Sequence, residues 1–136
     1  MMIRKSTLAA LGASFILGLG VTVSAHAEVV KDTAKWDSEY KASVDRGDAL
    51  FHGGIKSDNE VACVQCHPEA SNTHAETYPK YQKQLGKVSQ LWEMTNWCIE
   101  NPLESKAIAA DSQDMVDLVA YMTNIRKGLK LAPGTY

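Results

Sequence analysis

Three cysteines and one histidine carry the sharpest chemistry in this sequence. Cys63-Val64-Gln65-Cys66-His67 sets two thiols three positions apart, with an imidazole directly behind them. A C-x-x-C-H string is the attachment pattern of a covalent haem. The thiols add across its vinyl groups and the histidine gives the iron one axial nitrogen. The two-residue spacer puts both sulfurs on one side of a tight turn. Two rivals share the cysteine spacing. A thioredoxin-like redox pair opens a helix within a βαβ pattern, and no strand alternation surrounds this motif. A zinc site needs more ligands at suitable spacing, and only one further cysteine, Cys98, exists. The expected cofactor is one covalent haem c, bound by Cys63, Cys66 and His67.

The N-terminus predicts export. Arg4 and Lys5 precede a largely apolar run from Leu8 to Val23, and Ala25-His26-Ala27 supplies a small-x-small cleavage pattern. Residues 1–27 are thus expected to be a signal peptide, cleaved after about Ala27, and residues 28–136 a single domain in the periplasm. Two of the 14 basic residues and no acidic one lie in that segment. The remainder holds 12 basic against 16 acidic residues, a net charge of −4. Nucleic-acid binding needs a basic stripe, and none is visible. Beyond the signal, no apolar run approaches the ~20 residues that cross a bilayer.

Export makes Cys98 conspicuous. Oxidising compartments favour paired cysteines, and an odd one remains once Cys63 and Cys66 hold the cofactor. Cys98 shares a helical face with Leu91 and Thr95, so it is expected to point inward and to act as the second metal ligand beside His67. A small buried hydrophobe is the competing reading. Met94, His52 and His74 are the alternative ligands, the two histidines reading more simply as surface residues.

Few elements are needed to position these groups. Residues 28–37 show no period and predict an extended arm, with Trp36 as a packing anchor. A first helix is expected from Ser38, a suitable N-cap, to Gly53-Gly54. Gly47 inside it implies close approach of another backbone. Residues 53–87 predict a loop with short turns around the cofactor, and a run this long is uncommon unless functional. Val88, Leu91, Thr95 and Cys98 predict a second helix over residues 88–100, stopped before Pro102. Asp111 as N-cap, the stripe Met115, Leu118, Val119, Met122 and Ile125, and Gly128 after the last turn predict a third helix.

Gly47, Phe51, the Cys63–His67 motif, Leu118 and Tyr121 together resemble class I cytochrome c. That resemblance implies an all-α, cytochrome c-like domain wrapped around the haem, its first and last helices crossing at Gly47. The usual methionine ligand of that family would fall between Asn101 and Ala110, where this sequence has none. A second set of residues is more specific. It comprises Tyr78-Pro79-Lys80-Tyr81, Leu85-Gly86-Lys87-Val88, Asn96-Trp97-Cys98-Ile99, Asn101-Pro102-Leu103 and residues 114–122. This order resembles the haem domains of the SoxAX A subunit and of diheme thiosulfate dehydrogenase. It is also similar to small His/Cys-ligated cytochromes that pair as heterodimers in anaerobic ammonium oxidisers. The resemblance implies that Cys98 is the axial ligand opposite His67.

Three functions follow as expectations. The first is a low-potential periplasmic electron carrier, more an electron-transfer protein than an enzyme on its own. The second is an NO- or CO-binding haem protein in a cytochrome heterodimer. The third is the haem subunit of a thiosulfate-oxidising enzyme, which would need a partner haem because this chain has one C-x-x-C-H. The expected partners are redox proteins, including a second small cytochrome. Lys80, Lys83 and Lys87 form a basic stretch near the site, read as solvated charge or as an anion contact.

Overall fold

The proline-free run from Thr22 to Ala49 can hydrogen-bond as a helix without interruption. In a computed structural model describing residues 22–135, with side chains from residue 32 onward, it forms α1, Thr22–Ala49. The chain divides into two units, Met1–Ala34 and Lys35–Tyr136. Of the first, the helical backbone from Thr22 is described, and the expected signal segment lies mostly outside the described residues. The second carries everything below.

Three N-terminal expectations need correction. Residues 28–37 are helical, because nothing in their sequence breaks the backbone ladder. Ser38 does not cap a helix; it sits inside one, its hydroxyl donating to the Lys35 carbonyl at 2.8 Å. Trp36 is 62% exposed and anchors nothing within its unit. The helix ends near the two glycines, as expected. A π-type turn, Leu50–Gly54, follows α1, and Gly53 adopts φ 126°.

The motif forms a one-turn helix, α2 (Cys63–Cys66), followed by 3-10 turns at Pro68–Ala70 and Ala75–Thr77. A short antiparallel hairpin comes next, β1 (Lys80–Gln82) with β2 (Lys87–Ser89), in which Tyr81 opposes Val88. Periodicity assigns Val88 to the next helix, but it lies on the strand and is 65% exposed. α3 therefore starts later, at Leu91–Glu100, where the Glu93 carboxylate accepts the Gln90 N–H at 2.8 Å. It stops before Pro102. α4 spans Gln113–Ile125, and its N-cap is Ser112, not Asp111: the Ser112 hydroxyl accepts from Met115 N at 3.3 Å. Gly128 closes the following turn at φ 88°.

The fold is helical, as expected, with one small hairpin. Leu118, Tyr121 and Met122 of α4 pack with Phe51, Ala70, Ala75 and Leu91 as the core. The rings of Phe51 and Tyr121 lie 5.2 Å apart. Gly47 permits α1 to meet α4, since a Cβ there would fall 1.9 Å from the Asp117 carbonyl oxygen.

Beside that crossing, Asp117 is 1% exposed yet fully engaged. It accepts from Ser43 Oγ at 2.5 Å, from Arg46 Nε at 2.6 Å and Nη2 at 3.0 Å, and from Gln113 Nε2 at 2.7 Å. The Arg46 guanidinium, helped by Ser43 and Gln113, outweighs burial and lowers the Asp117 carboxyl to about 2. A second clasp joins the end of α4 to the loop. Arg126 donates to Glu76 at 2.7 and 2.8 Å and to the Ser71 carbonyl at 3.0 Å.

Candidate functional site

Cys63, Cys66, His67 and Cys98 all line one cavity of about 240 Å³. It is lined by Phe51, Ala62 and residues of the stretch from the motif to Thr73, by Tyr78, Lys80 and Gln82, by residues of α3 with Pro102 and Leu103, and by Leu118 and Met122 of α4. Three thiols and an imidazole facing one largely apolar cavity suit a flat, apolar, iron-centred group with two covalent tethers and two axial ligands.

Local bonding explains how the motif is presented. Ala62 N donates to Gln65 Oε1 at 2.8 Å, and His67 N to the Cys63 carbonyl at 2.9 Å, so the two cysteines lie on one helical turn. Burial raises the Cys63 thiol, while Cys66 is exposed at the cavity mouth.

Cys98 sits on α3 at the inner face that the spacing predicts. Its thiol is pushed up to about 11, first by burial and then by the neighbouring Cys63 and Cys66. The helix is fixed there by its continuation. Leu103 N donates to the Cys98 carbonyl at 3.2 Å, and Ser105 N to that of Ile99 at 2.9 Å. The Asn96 amide pairs with both backbone groups of Ile108, at 2.8 and 2.9 Å.

The alternative ligands separate. Met94 lines the cavity, whereas His52 and His74 do not. His52 Nδ1 lies 2.9 Å from the Asp48 carbonyl, and that contact leads the causes that raise its pKa. His74 Nδ1 faces Glu76 at 3.4 Å. The three lysines part company as well. Lys80 lines the cavity with its ammonium 4.8 Å from the Tyr78 ring centre, Lys87 pairs with Glu93, and Lys83 is exposed. Burial lowers the Lys80 pKa, while Glu76 opposes the shift.

Sequence reasoning did not find Tyr78, Gln82 or Asn72 as site residues. Gln82 Nε2 donates to the Tyr78 hydroxyl at 2.5 Å, and burial pushes that phenol up to about 12. Asn72 Oδ1 lies 3.0 Å from His67 Nδ1. Their signal is proximity in sequence to the motif and to Lys80, which alone does not distinguish them from loop polar residues.

Comparison with known proteins identifies the family. The family model for the SoxA/TsdA cytochrome c domain matches residues 46–131. A thiosulfate dehydrogenase of Psychrobacter arcticus is 32% identical over 100 residues, which cover 64% of this chain and 31% of that protein. One from Allochromatium vinosum is 28% identical over 83 residues, covering 52% of this chain and 31% of that protein. The chain thus spans about a third of the length of these curated relatives. The crystal structure of SoxXA from P. pantotrophus matches with a TM-score of 0.64 at 18% identity, over 72% of this chain and 38% of that one, which establishes the shared fold. Every residue lining the cavity falls inside the matched stretch, which covers more than half of the sequence. The chain belongs to the SoxA/TsdA family of cytochrome c domains, and its cofactor is covalently bound haem c.

Proposed function

We propose that this chain is a low-potential periplasmic electron carrier in which His67 and Cys98 are the axial ligands of a single haem. Cys63 and Cys66 are the attachment sites. The observation that carries the reading is the convergence of all four side chains on one cavity. The haem supplies one-electron chemistry at its iron.

The protein's own groups set the conditions for that chemistry. Cys98 as a thiolate is an anionic donor that favours oxidised iron, which places the midpoint potential below that of a His/Met site. Burial and the other two sulfurs oppose that anion. The contribution of Cys63 and Cys66 vanishes when they become thioethers, and a bound cation favours deprotonation of a coordinating thiol. The apolar wall of Phe51, Leu91, Leu118 and Met122 limits water near the iron. Lys80 places a positive charge at the cavity beside Tyr78, where it can balance a carboxylate or attract an anion.

The curated relatives named as thiosulfate dehydrogenases point to sulfur oxidation as the setting. With one C-x-x-C-H motif, this chain serves there by passing electrons to a partner redox protein, a second small cytochrome being the expected class. Export rests on the basic, apolar and small-residue pattern of residues 1–27. Among the described residues, no helix is long and apolar enough to cross a membrane.

Low-temperature EPR of the ferric, haem-loaded protein tests the ligation. A low-spin signal with the small g-anisotropy of thiolate ligation is expected. A widely spread low-spin signal would mean His/Met or bis-His ligation and transfer the assignment to Met94, His52 or His74. Thiosulfate-dependent haem reduction that appears only with a partner cytochrome would fix the setting. Reduction by this chain alone would make it the enzyme.

A further inference from the structure

Behind the motif the backbone bends in a way no glycine provides. Glu69 and Ala70 adopt φ 49° and 50°, a left-handed conformation that non-glycine residues rarely hold in succession. Ala70 is fully buried, so the bend is locked into the core. Ala70 N donates to the His67 carbonyl at 2.9 Å, Ser71 N to that of Pro68 at 3.1 Å, and Thr73 Oγ1 to that of Ala70 at 2.8 Å. These bonds curl the chain so that Asn72 returns to the motif. Strain of this kind, held by surrounding structure, collects at functional sites.

Asn72 makes two contacts there. Its Oδ1 lies 3.0 Å from His67 Nδ1, and its Nδ2 faces the Cys66 carbonyl at 3.4 Å. Only one orientation of the amide suits both. The reverse would aim the amide oxygen at the carbonyl oxygen, setting acceptor against acceptor. Asn72 therefore accepts from His67 Nδ1–H, and Nε2 is the nitrogen with a free lone pair.

We infer that Asn72 is a positioning residue for the axial imidazole: it fixes the His67 tautomer and ring orientation and makes the ring a stronger donor to iron. The inference rests on the reading of His67 as an iron ligand. A hydrogen bond from the distal N–H to an acceptor raises the basicity of a ligating histidine. The amide thus acts in the same direction as a Cys98 ligand would and lowers the potential.

The test compares midpoint potentials of the haem-loaded wild type, Asn72→Leu and Asn72→Asp. Leu removes the acceptor, and the potential is expected to rise. Asp keeps an acceptor and adds negative charge, and the potential is expected to fall below wild type. Both variants lose the donation to Cys66, so a merely structural role would move them the same way. Shifts of equal sign, or none, overturn the proposal. If the Leu variant does not acquire haem, Asp alone decides by the direction of its shift. Selective 15N-histidine labelling of the wild type separates the two readings. A hyperfine-shifted Nε2 of His67 together with unmoved Asn72 potentials removes only the role of Asn72. An unshifted nitrogen removes both.

Discussion

Replacing Gly47 with alanine sets two effects against each other. Alanine is the better helix former, by about 1 kcal/mol in a helix interior. Against that stands the crossing. The new Cβ would lie 1.9 Å from the Asp117 carbonyl oxygen, 2.6 Å from its carbon and 2.8 Å from Tyr121 Cβ. Ordinary contact begins at 3.4 Å, so α4 must withdraw by about 1.5 Å at that point, a demand on backbone that cannot rotate away. A withdrawal of that size along the 2.5 and 2.6 Å bonds from Ser43 and Arg46 to Asp117 takes them out of hydrogen-bond range. Overpacking costs about 1–3 kcal/mol, and a buried carboxylate stripped of part of its donors costs about 1–3 more. The net expectation is a loss of about 1–5 kcal/mol. Urea unfolding of the haem-loaded protein, followed by far-UV circular dichroism, reads this as a lower midpoint at unchanged slope. Equal or greater stability would refute the reasoning, because it would mean that helix propensity decides and the contact is not rigid.

Other expectations test separate parts of the molecule. Asp117 is held near 2 rather than 3.8, so its contribution is full above pH ~5 and lost as pH falls through about 4 to 2; allowing for the half-exposed Arg46, this is about 1–2 kcal/mol. Asn at position 117 should lower stability at pH 7 and flatten the decline between pH 5 and 2 in a urea-midpoint series. Glu76, lowered to about 2 chiefly by Arg126, behaves with the same sign, and Glu76→Gln should cost about 1–3 kcal/mol at neutral pH. Proteolysis should then cut the segment after α4 sooner, since Ala132 N bonds the Glu76 carbonyl at 3.1 Å. Cys98→Met should raise the midpoint potential by about 0.1 V or more, within the ~0.8 V span that axial ligands command. An unchanged potential in a redox titration would remove Cys98 from the iron.

What the sequence made legible was what short-range rules encode. The C-x-x-C-H string, the glycine at the crossing, the helix stop before Pro102 and the stripe on α4 each follow from local geometry or from one residue's steric demand. The helix at 28–37 was not legible, because it lacks an apolar period and nothing in it marks a start. The hairpin was hidden for the opposite reason. Val88, Leu91, Thr95 and Cys98 fit a helical period that the strand merely precedes, and Tyr81 opposite Val88 is a pairing no single-strand pattern reveals. Asp117 was overlooked because its partners lie 71 and 74 positions away. An acidic residue between Met115 and Leu118 on a buried stripe was the available clue. Asn72 depends on two left-handed residues that no composition rule would place at Glu69 and Ala70.

The cavity lining comes from two successive, non-overlapping stretches of chain, one running from Phe51 to Thr73 and the other from Tyr78 to Leu103, together with Leu118 and Met122 of α4. The cavity lining is therefore segmented along the chain. The C-x-x-C-H motif and Asn72, 3.0 Å from His67 Nδ1, belong to the first stretch, while Tyr78, Lys80, Gln82 and Cys98 belong to the second. The two stretches meet through Asn59, which donates to the Pro102 carbonyl at 2.8 Å, and Ser105, which donates to the Lys56 carbonyl at 2.6 Å. Such a layout separates the covalent attachment of the haem from the residues of the hairpin and α3 that complete its pocket.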